Sequence, residues 1–424
     1  MNVLNSLLGM AVLMAIAVLL SSNRKAINLR TVVGAFLIQV ALGALVLYVP
    51  WGREGLLAVS EAVSKVIAYG NDGVGFLFGG LISDKMFELF GGGGFVFALR
   101  VLPMIVFFSS LMAVLYYIGV MQILIKVIGG FLQKVLGTSK AESMSAAANI
   151  FVGQTEAPLV VRPFIKSMTK SELFAIMSGG LASVAGSVLA GYAQMGVPLP
   201  YLIAASFMAA PGGLLFAKLL VPETETPRTD EELVEEDGEQ PVNVIDAAAG
   251  GAVTGAHIAI AVGASLLAFV ALISLVNGMI GGVGGWFGYG ELTLQTILGW
   301  LFSPLAWVIG VPWSEAGVAG SLIGQKLVVN EFVAYSSFVE YLKPDSAVQL
   351  GDTTKAIISF ALCGFANLGS IAVLVGGLSI MAPNRRQDVA KLGFKAVIAG
   401  SLSNLMSAVI AGLFIGLSGA AIIG

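Results

Sequence analysis

The chain has 424 residues, of which 57% are apolar and 11% are charged, and its net charge is −3. An ordinary soluble protein has about a quarter of its residues charged, so this composition excludes a water-soluble fold and predicts a lipid-embedded chain. One cysteine and one histidine exclude an internal disulfide, a cysteine-based metal cluster and a paired-histidine metal site. No G-x-x-x-x-G-K run is present, so any energy coupling should come from an ion gradient or a partner.

The first 136 residues predict three membrane spans and two surface helices. Residues 3–20 and 31–49 are apolar enough to cross, and the basic loop between them predicts an N-terminus on the outer face. The apolar start lacks a basic leader region, so it predicts a retained helix rather than a signal peptide. Helical spacing of apolar residues predicts an outer interfacial helix at 54–68 and an inner one at 121–136, with a third span at 95–119.

The apolar run at 141–167 is broken in its middle by the sequence GQTEAP at 153–158. Each half has about ten residues and is too short to cross a bilayer. Basic residues flank both ends, which predicts a re-entrant hairpin that enters and leaves on the inner side. Irregular backbone at membrane depth is tolerated only inside protein or against a water-filled cavity, so the hairpin tip should lie at such a place.

The rest of the chain contains further spans, an acidic linker and a second broken segment. Ten of the 25 acidic residues lie within 223–246 and predict a cytoplasmic linker. Four of the five tryptophans lie within 286–313 and predict an interfacial segment. The second broken segment has Asn330 and Glu331 at its middle and should open to the outside. The predicted positions are spans at 172–195, 198–221, about 250–280, 355–382 and 393–420, and a hairpin at 314–342.

The order hairpin, span, span occurs twice, over 141–221 and over 314–420, and the second copy starts on the opposite side of the membrane. The span after each hairpin carries a related string, GLASVAGS at 180–187 and GFANLGS at 364–370. Inverted repeats with broken helices are typical of secondary transporters, whose binding site lies at the repeat interface. The sequence therefore predicts an all-α polytopic membrane protein with eight transmembrane helices, two re-entrant helical hairpins, an inverted repeat, interfacial amphipathic helices and both termini outside.

Glu156 and Glu331 are the first candidate binding residues, since an ionisable group at membrane depth is a functional hypothesis by default. They would accept hydrogen bonds from substrate hydroxyl or amine groups. The alternative is structural: each acid could cap a half-helix or pair with a lysine, and Lys326 is near Glu331.

Neutral polar residues near the two acids form a second group of candidates. Gln154, Thr155, Asn367 and Ser370 could bind a polar uncharged substrate or could bond helices to one another. Phe365 could stack on a planar ligand or simply pack in the core. The remaining candidates, Asn149 and Ser183 with the carbonyl groups of Val152 and Val184, could form an oxygen cage for a hard cation.

The hairpin motifs GQTEAP at 153–158 and NEF at 330–332, with the string CGFANLGSIA at 363–372, resemble the concentrative nucleoside transporter family. The resemblance covers nearly the whole chain and is closest to the short bacterial sodium-coupled type. It implies a sodium-coupled symporter that carries nucleosides such as uridine into the cell by an elevator-type movement of the hairpin domain. It also implies a homotrimer in the bacterial inner (plasma) membrane, surrounded by lipid, with no nucleic-acid partner and no enzymatic activity.

The resemblance assigns roles to the domains and to the candidate residues. Scaffold regions would be 1–120, with spans one to three and the outer interfacial helix, and 249–285, with span six. Transport regions would be 121–222 and 286–424, and the acidic linker would be 223–248. The nucleobase would contact Gly153, Gln154, Thr155, Glu156 and Val188, with Phe365 beside it, and the ribose would contact Glu331, Asn367 and Ser370. The sodium ion would be held by Asn149, Val152, Ser183 and Val184.

Several other functions stay open at this point. Coupling to protons instead of sodium is one, although Asn149 matches the sodium-coupled pattern. A similar elevator carrier for another polar solute, such as a dicarboxylate, would need a basic residue in the tips or strings, and none is present there. A membrane hydrolase would need a nucleophile with a base, and Ser370 has no histidine partner that the sequence indicates. An ion channel is the last alternative.

Overall fold

The structure is a computed structural model that describes residues 3–90, 94–227 and 241–419. Within those ranges the regular elements are helices, and no strand is present. The α-helices of the first half are α1 (Val3–Leu19), α2 (Leu29–Leu47), α3 (Pro50–Phe78), α4 (Lys85–Phe90), α5 (Phe97–Arg100), α6 (Leu102–Tyr117), α7 (Val120–Leu136), α8 (Lys140–Ala148), α9 (Arg162–Ile165), α10 (Lys170–Ala182), α11 (Gly186–Gln194) and α12 (Leu199–Leu220).

The α-helices of the second half are α13 (Val244–Gly285), α14 (Leu294–Val308), α15 (Trp313–Val328), α16 (Glu331–Phe338), α17 (Asp352–Leu362), α18 (Gly369–Met381) and α19 (Arg386–Ser418). Short 3₁₀ turns lie at Arg24–Ala26, Gly79–Ile82, Ala157–Val161, Val339–Leu342 and Pro383–Arg385. The central part of the predicted acidic linker, 228–240, lies outside the described residues.

Most of the predicted spans coincide with helices. Within the described part of the chain, six helical segments are long and apolar enough to cross a membrane, or seven if α14 and α15, bent by 115°, count as one. The apolar helices α1 and α18 have 17 and 13 residues and fall below that length. The predicted number of eight spans therefore stays a prediction.

The core lies between α10, α11, α12 and α19, whereas α13 lies at the periphery. In the apolar windows of α10–α11 and of α12, 94% of residues are buried, against 6% in α13. An exposed apolar helix in a membrane protein contacts lipid or another protein. The four helices of the core are therefore the ones that can enclose a site.

Small residues allow α13 to pack closely on α6. The buried residues Ala247, Gly251, Gly255 and Ala259 recur every four positions along one face of α13. A Cβ added to Gly255 would lie 2.7 Å from the Cα of Val106 on α6. Small residues at this spacing permit close helix approach in membranes. The span predicted at about 250–280 is part of this 42-residue helix, which at 1.5 Å per residue extends well beyond a hydrocarbon core of about 30 Å.

Four segments contain irregular backbone where the chain would otherwise continue as helix. The segment 141–167 consists of α8, an irregular stretch at 149–156, a 3₁₀ turn and α9, and the segment 314–342 has a break at 329–330 between α15 and α16. We call 183–185, between α10 and α11, the first interruption, and 363–368, between α17 and α18, the second interruption. The first interruption lies inside the span predicted at 172–195, whose continuous apolar pattern did not indicate a break.

Local sequence accounts for where the broken helices begin. Ser139 caps α8 and forms a reciprocal capping box with Glu142, and Thr169 does the same for α10 with Glu172. Asn330 caps α16 by accepting a hydrogen bond at 2.9 Å from the backbone N–H three residues later. Each cap satisfies a backbone donor that a helix start leaves unpaired, so a new helix can begin inside the protein.

Candidate functional site

The two interruptions meet each other and the two broken segments through their backbones. Freed backbone groups need partners because no water is available at membrane depth. Three N–H···O=C bonds provide them, from Gly186 to Phe151 at 2.9 Å, from Leu368 to Leu327 at 3.1 Å, and from Phe365 to Ser183 at 3.1 Å. The irregular backbones thus form one joined region.

Glu331 is buried at the start of α16 and accepts hydrogen bonds from two other helical segments. Its Oε1 accepts from the Tyr192 hydroxyl on α11 at 3.2 Å. Its Oε2 accepts from Asn367 Nδ2 in the second interruption at 3.0 Å. A carboxylate has about four acceptor positions, so these two bonds leave acceptor capacity for a further donor.

The structural alternatives for Glu331 were a cap of α16 and a pairing with Lys326. The cap of α16 is the side chain of Asn330. Lys326 donates instead to Ala361 O at 2.9 Å and to Asn404 Oδ1 at 2.5 Å. The Glu331 carboxylate therefore does not accept these two lysine hydrogen bonds, and the side-chain cap of α16 comes from Asn330.

Asn367, Ser370 and Gln154 extend the polar row that begins at Tyr192 and Glu331. Asn367 Oδ1 accepts from Ser370 N at 2.9 Å, which holds the start of α18. Gln154 Nε2 donates to Ser370 Oγ at 3.4 Å. Gln154 is buried, and no described residue donates a hydrogen bond to its Oε1. The row therefore ends in a buried acceptor that a ligand could satisfy.

The other predicted residues of the first tip lie near the row but do not all join it. Glu156 Oε2 accepts from Gly153 N at 3.1 Å, a bond within its own turn and not a cap of the following 3₁₀ turn. The Phe365 ring lies beside Gly153, 3.9 Å from where a Cβ on that glycine would be. Thr155 is exposed and packs against Gly377 of α18.

The predicted ion-binding residues lie at the ends of α8 and α10. Asn149 is 2% exposed, and within the described ranges neither polar atom of its side chain has a hydrogen-bond partner. Ser183 is buried and donates to Gly180 O at 3.3 Å, and Val152 and Val184 are buried too. The described part of the chain holds no group of three or more His, Cys, Asp or Glu side chains that could bind a metal. These residues stay candidates for an ion site made of neutral oxygens, a kind of site that half-helix ends form in secondary transporters.

Tyr192 belongs to the polar row by its bond to Glu331, and the sequence analysis did not select it. It is fully buried, and its ring lies 4.7 Å from that of Phe332 and 4.6 Å from that of Tyr335. It lies four residues after Val188, which is buried on the same helix, so both share one face of α11. The four-residue spacing from the predicted site residue Val188 was the feature of the sequence that could have indicated Tyr192.

Asn404 of α19 was missed as well and connects the two interruptions. Its Nδ2 donates to Ala182 O at 2.6 Å and to Cys363 O at 2.8 Å. Both carbonyl groups are freed where a helix ends, and Asn404 is 2% exposed. The signal for it was an amide within the largely apolar run 393–420.

The donors and acceptors of this region suit a polar ligand enclosed by broken helices in a multi-pass membrane protein. That combination defines a transporter. Family models agree with this class: the Na+ dependent nucleoside transporter N-terminus matches residues 8–81, nucleoside recognition matches 98–199, and the Na+ dependent nucleoside transporter C-terminus matches 201–412.

Similar proteins point to the same family. A protein of Haemophilus influenzae named "Uncharacterized transporter" is 67% identical over 423 residues and covers 100% of both chains. "Nucleoside permease NupC" of Helicobacter pylori is 57% identical over 97% of this chain and 98% of its own length. A solved structure, "Structure of CNTnw in an inward-facing substrate-bound state", is 83% identical with a TM-score of 0.97 and covers 100% of both chains.

The chain therefore belongs to the Na+-dependent, or concentrative, nucleoside transporter family. Its relatives are transporters and not enzymes. The resemblance inferred from the hairpin motifs is thus confirmed, as is an all-helical polytopic fold.

Proposed function

We propose that this protein is a sodium-coupled symporter that carries nucleosides such as uridine into the cell. The observation that carries the proposal is the polar row from Tyr192 through Glu331, Asn367 and Ser370 to Gln154. The row joins the second broken segment, both interrupted spans and the first hairpin tip. A single ligand bound along it would contact every element that must move together.

The two ends of the row suit the two parts of a nucleoside. The ribose offers vicinal hydroxyl donors, and the Glu331 carboxylate has acceptor capacity for them. The base offers an amide-like edge, whose N–H group would satisfy the unpartnered Oε1 of Gln154. Phe365 lies beside the first tip and would pack against the base. In this proposal the base also contacts Gly153, Thr155, Glu156 and Val188, and the ribose also contacts Asn367 and Ser370.

Sodium would be carried as a second substrate at the end of α10. Asn149 Oδ1 is a buried oxygen without a partner, and Ser183 and the carbonyl groups of Val152 and Val184 complete an oxygen set. Half-helix C-terminal ends and unwound carbonyl groups bind coupling ions in other secondary transporters. The name of the family models, Na+ dependent nucleoside transporter, supports sodium in this role.

For the architecture we propose eight spans, two re-entrant hairpins in an inverted repeat, and an elevator-type movement of the hairpin regions. The buried core of α10, α12 and α19 would move, and the exposed helices α6 and α13 would belong to a static scaffold. The exposed apolar surfaces of these scaffold helices would contact lipid or other copies of the chain, as in a homotrimer in the inner membrane. Both termini would lie on the outer face.

The experiment is uptake of labelled uridine by proteoliposomes that hold the purified protein. An inward Na+ gradient should drive accumulation above equilibrium, and collapse of that gradient should release the uridine. Accumulation driven only by an outside-acid gradient would replace sodium with protons in this proposal. Accumulation of a dicarboxylate but not of uridine would overturn the substrate class.

A further inference from the structure

The two interruptions expose the C-terminal ends of two half-helices, α10 and α17. A helix end leaves carbonyl groups without intrahelical partners and carries a partial negative charge of about half a unit. Inside a membrane protein this charge favours a nearby cation. The carbonyl groups at the ends of α10 and α17 have different hydrogen-bond partners.

At the end of α17 the carbonyl groups are satisfied by side chains, and one of these is charged. Ser359 O accepts from the Tyr335 hydroxyl at 2.8 Å, and Ala361 O accepts from Lys326 Nζ at 2.9 Å. Lys326 is 2% exposed, and its Nζ donates also to Asn404 Oδ1 at 2.5 Å. The ammonium group is thus held by a helix-end carbonyl and by the amide that connects both interruptions.

At the end of α10 the donors are neutral. Ala182 O accepts from the Asn404 amide at 2.6 Å, and Gly180 O accepts from the Ser183 hydroxyl at 3.3 Å. Asn149 lies against α10, with its Nδ2 3.2 Å from where a Cβ on Gly179 would be, and its two polar side-chain atoms have no hydrogen-bond partner among the described residues. The described contacts at the end of α10 are therefore neutral and include an unpartnered amide, whereas the end of α17 is in contact with the ammonium group of Lys326.

We propose that Lys326 is a fixed cation that does at the second interruption what Na+ does at the first. The second interruption then takes no exchangeable ion, and one Na+ moves with each nucleoside. This inference rests on the proposed sodium coupling for its stoichiometry but not for the role of the lysine charge. Lys326 also donates to Asn404, which bonds the helix ends at both interruptions. In this proposal the lysine charge therefore stabilises the contact between the two interruptions whether or not Na+ is bound.

The first test separates the charge of Lys326 from its size. Lys326→Met keeps an unbranched chain without the charge, and Lys326→Arg keeps the charge. We expect Lys326→Met to lower uridine uptake at least tenfold and to unfold at a lower temperature in detergent, and Lys326→Arg to retain most of both properties. The matched control is Lys343→Met, since Lys343 is exposed and pairs with the exposed Glu340 at 2.7 Å. Wild-type behaviour of Lys326→Met, or equal loss in both Lys326 variants, would overturn the assignment.

The second test measures charge moved per nucleoside in proteoliposomes from the membrane potential at which net uridine flux reverses. One positive charge per uridine is expected, and two would mean that a second ion binds despite Lys326. If uptake shows no dependence on Na+ or on potential, the proposed sodium coupling fails. The thermal comparison of Lys326→Met with Lys326→Arg then still decides the role of the fixed charge, because it needs no transport.

Discussion

The hydroxyl group of Tyr192 donates a hydrogen bond to the carboxylate of Glu331 across 139 positions of the chain. The bond joins α11, which follows the first interruption, to α16, which follows the break in the second hairpin segment. Both side chains are buried. A bond between two such elements would fix the carboxylate in place before any ligand arrives, which reduces the cost of ordering it on binding.

Replacing Glu331 with glutamine should reduce uridine uptake about 10- to 100-fold at low uridine concentration. A hydrogen bond to a charged group contributes about 1.5–3 kcal/mol, and each 1.4 kcal/mol is a factor of ten. The variant should stay folded, because glutamine has nearly the same shape. Glu340→Gln is the matched control, since that acid is exposed and pairs with Lys343. Wild-type uptake by Glu331→Gln would remove Glu331 from the proposed ribose site.

Tyr192→Phe should weaken nucleoside binding by about three- to tenfold, because a net hydrogen bond is worth about 0.5–1.5 kcal/mol. The maximal rate should change little, since the carboxylate that contacts the ribose remains. Isothermal titration of the wild type and the variant with uridine and with 3′-deoxyuridine checks this. If the binding free energies lost by Tyr192→Phe and by removal of the ribose 3′-hydroxyl simply add, Tyr192 does not act through Glu331.

Much of the architecture could be predicted because membrane burial forces simple patterns. The apolar runs predicted helices, and short polar breaks in them predicted the irregular segments around Gln154 and Asn330. Glu331, Asn367, Ser370 and Gln154 could be selected because a polar group in an apolar run needs a reason to be there. All four lie in one hydrogen-bonded row.

The features that could not be predicted depend on contacts between distant parts of the chain. The helix break at Ser183 is one example. Its freed carbonyl group accepts from Phe365 N, 182 positions away, so the break depends on a distant contact that the local apolar pattern does not contain. Asn404 and Lys326 are likewise explained only when α15, α17 and α19 come together. Glu156 seemed equivalent to Glu331 by its position in a tip, yet in the structure it bonds its own turn at Gly153.

Asn149→Ala should raise the Na+ concentration needed for half-maximal uridine uptake by at least about tenfold, since it removes a buried oxygen from the proposed ion site. The nucleoside contacts are left in place, so uptake at saturating Na+ should recover in part. Asn71→Ala is the control, because Asn71 is exposed and accepts a hydrogen bond from Gln194, at the end of α11, at 3.0 Å. An unchanged Na+ dependence in Asn149→Ala would place the ion elsewhere.

A buried ion pair joins α8 to α12 at the base of the first hairpin segment. Lys218 contacts Glu142, and both side chains are nearly inaccessible. Lys218 also donates to Ser171 Oγ at 2.8 Å and lies 3.7 Å from Glu223, the first acid of the linker. Removing one partner of a buried pair leaves an uncompensated charge and typically costs about 3–5 kcal/mol, whereas removing both charges together costs far less.

We therefore expect Lys218→Met to lower the thermal unfolding temperature in detergent by several degrees, and the double variant with Glu142→Gln to recover at least half of that loss. All samples must be heated at one scan rate, because unfolding of a protein of this kind is commonly irreversible. Lys65→Met is the control: its partner Glu61 is equally exposed, and such surface pairs contribute about 0–1 kcal/mol. A double variant no more stable than Lys218→Met would show that the lysine stabilises α12 by its packing and not by its charge.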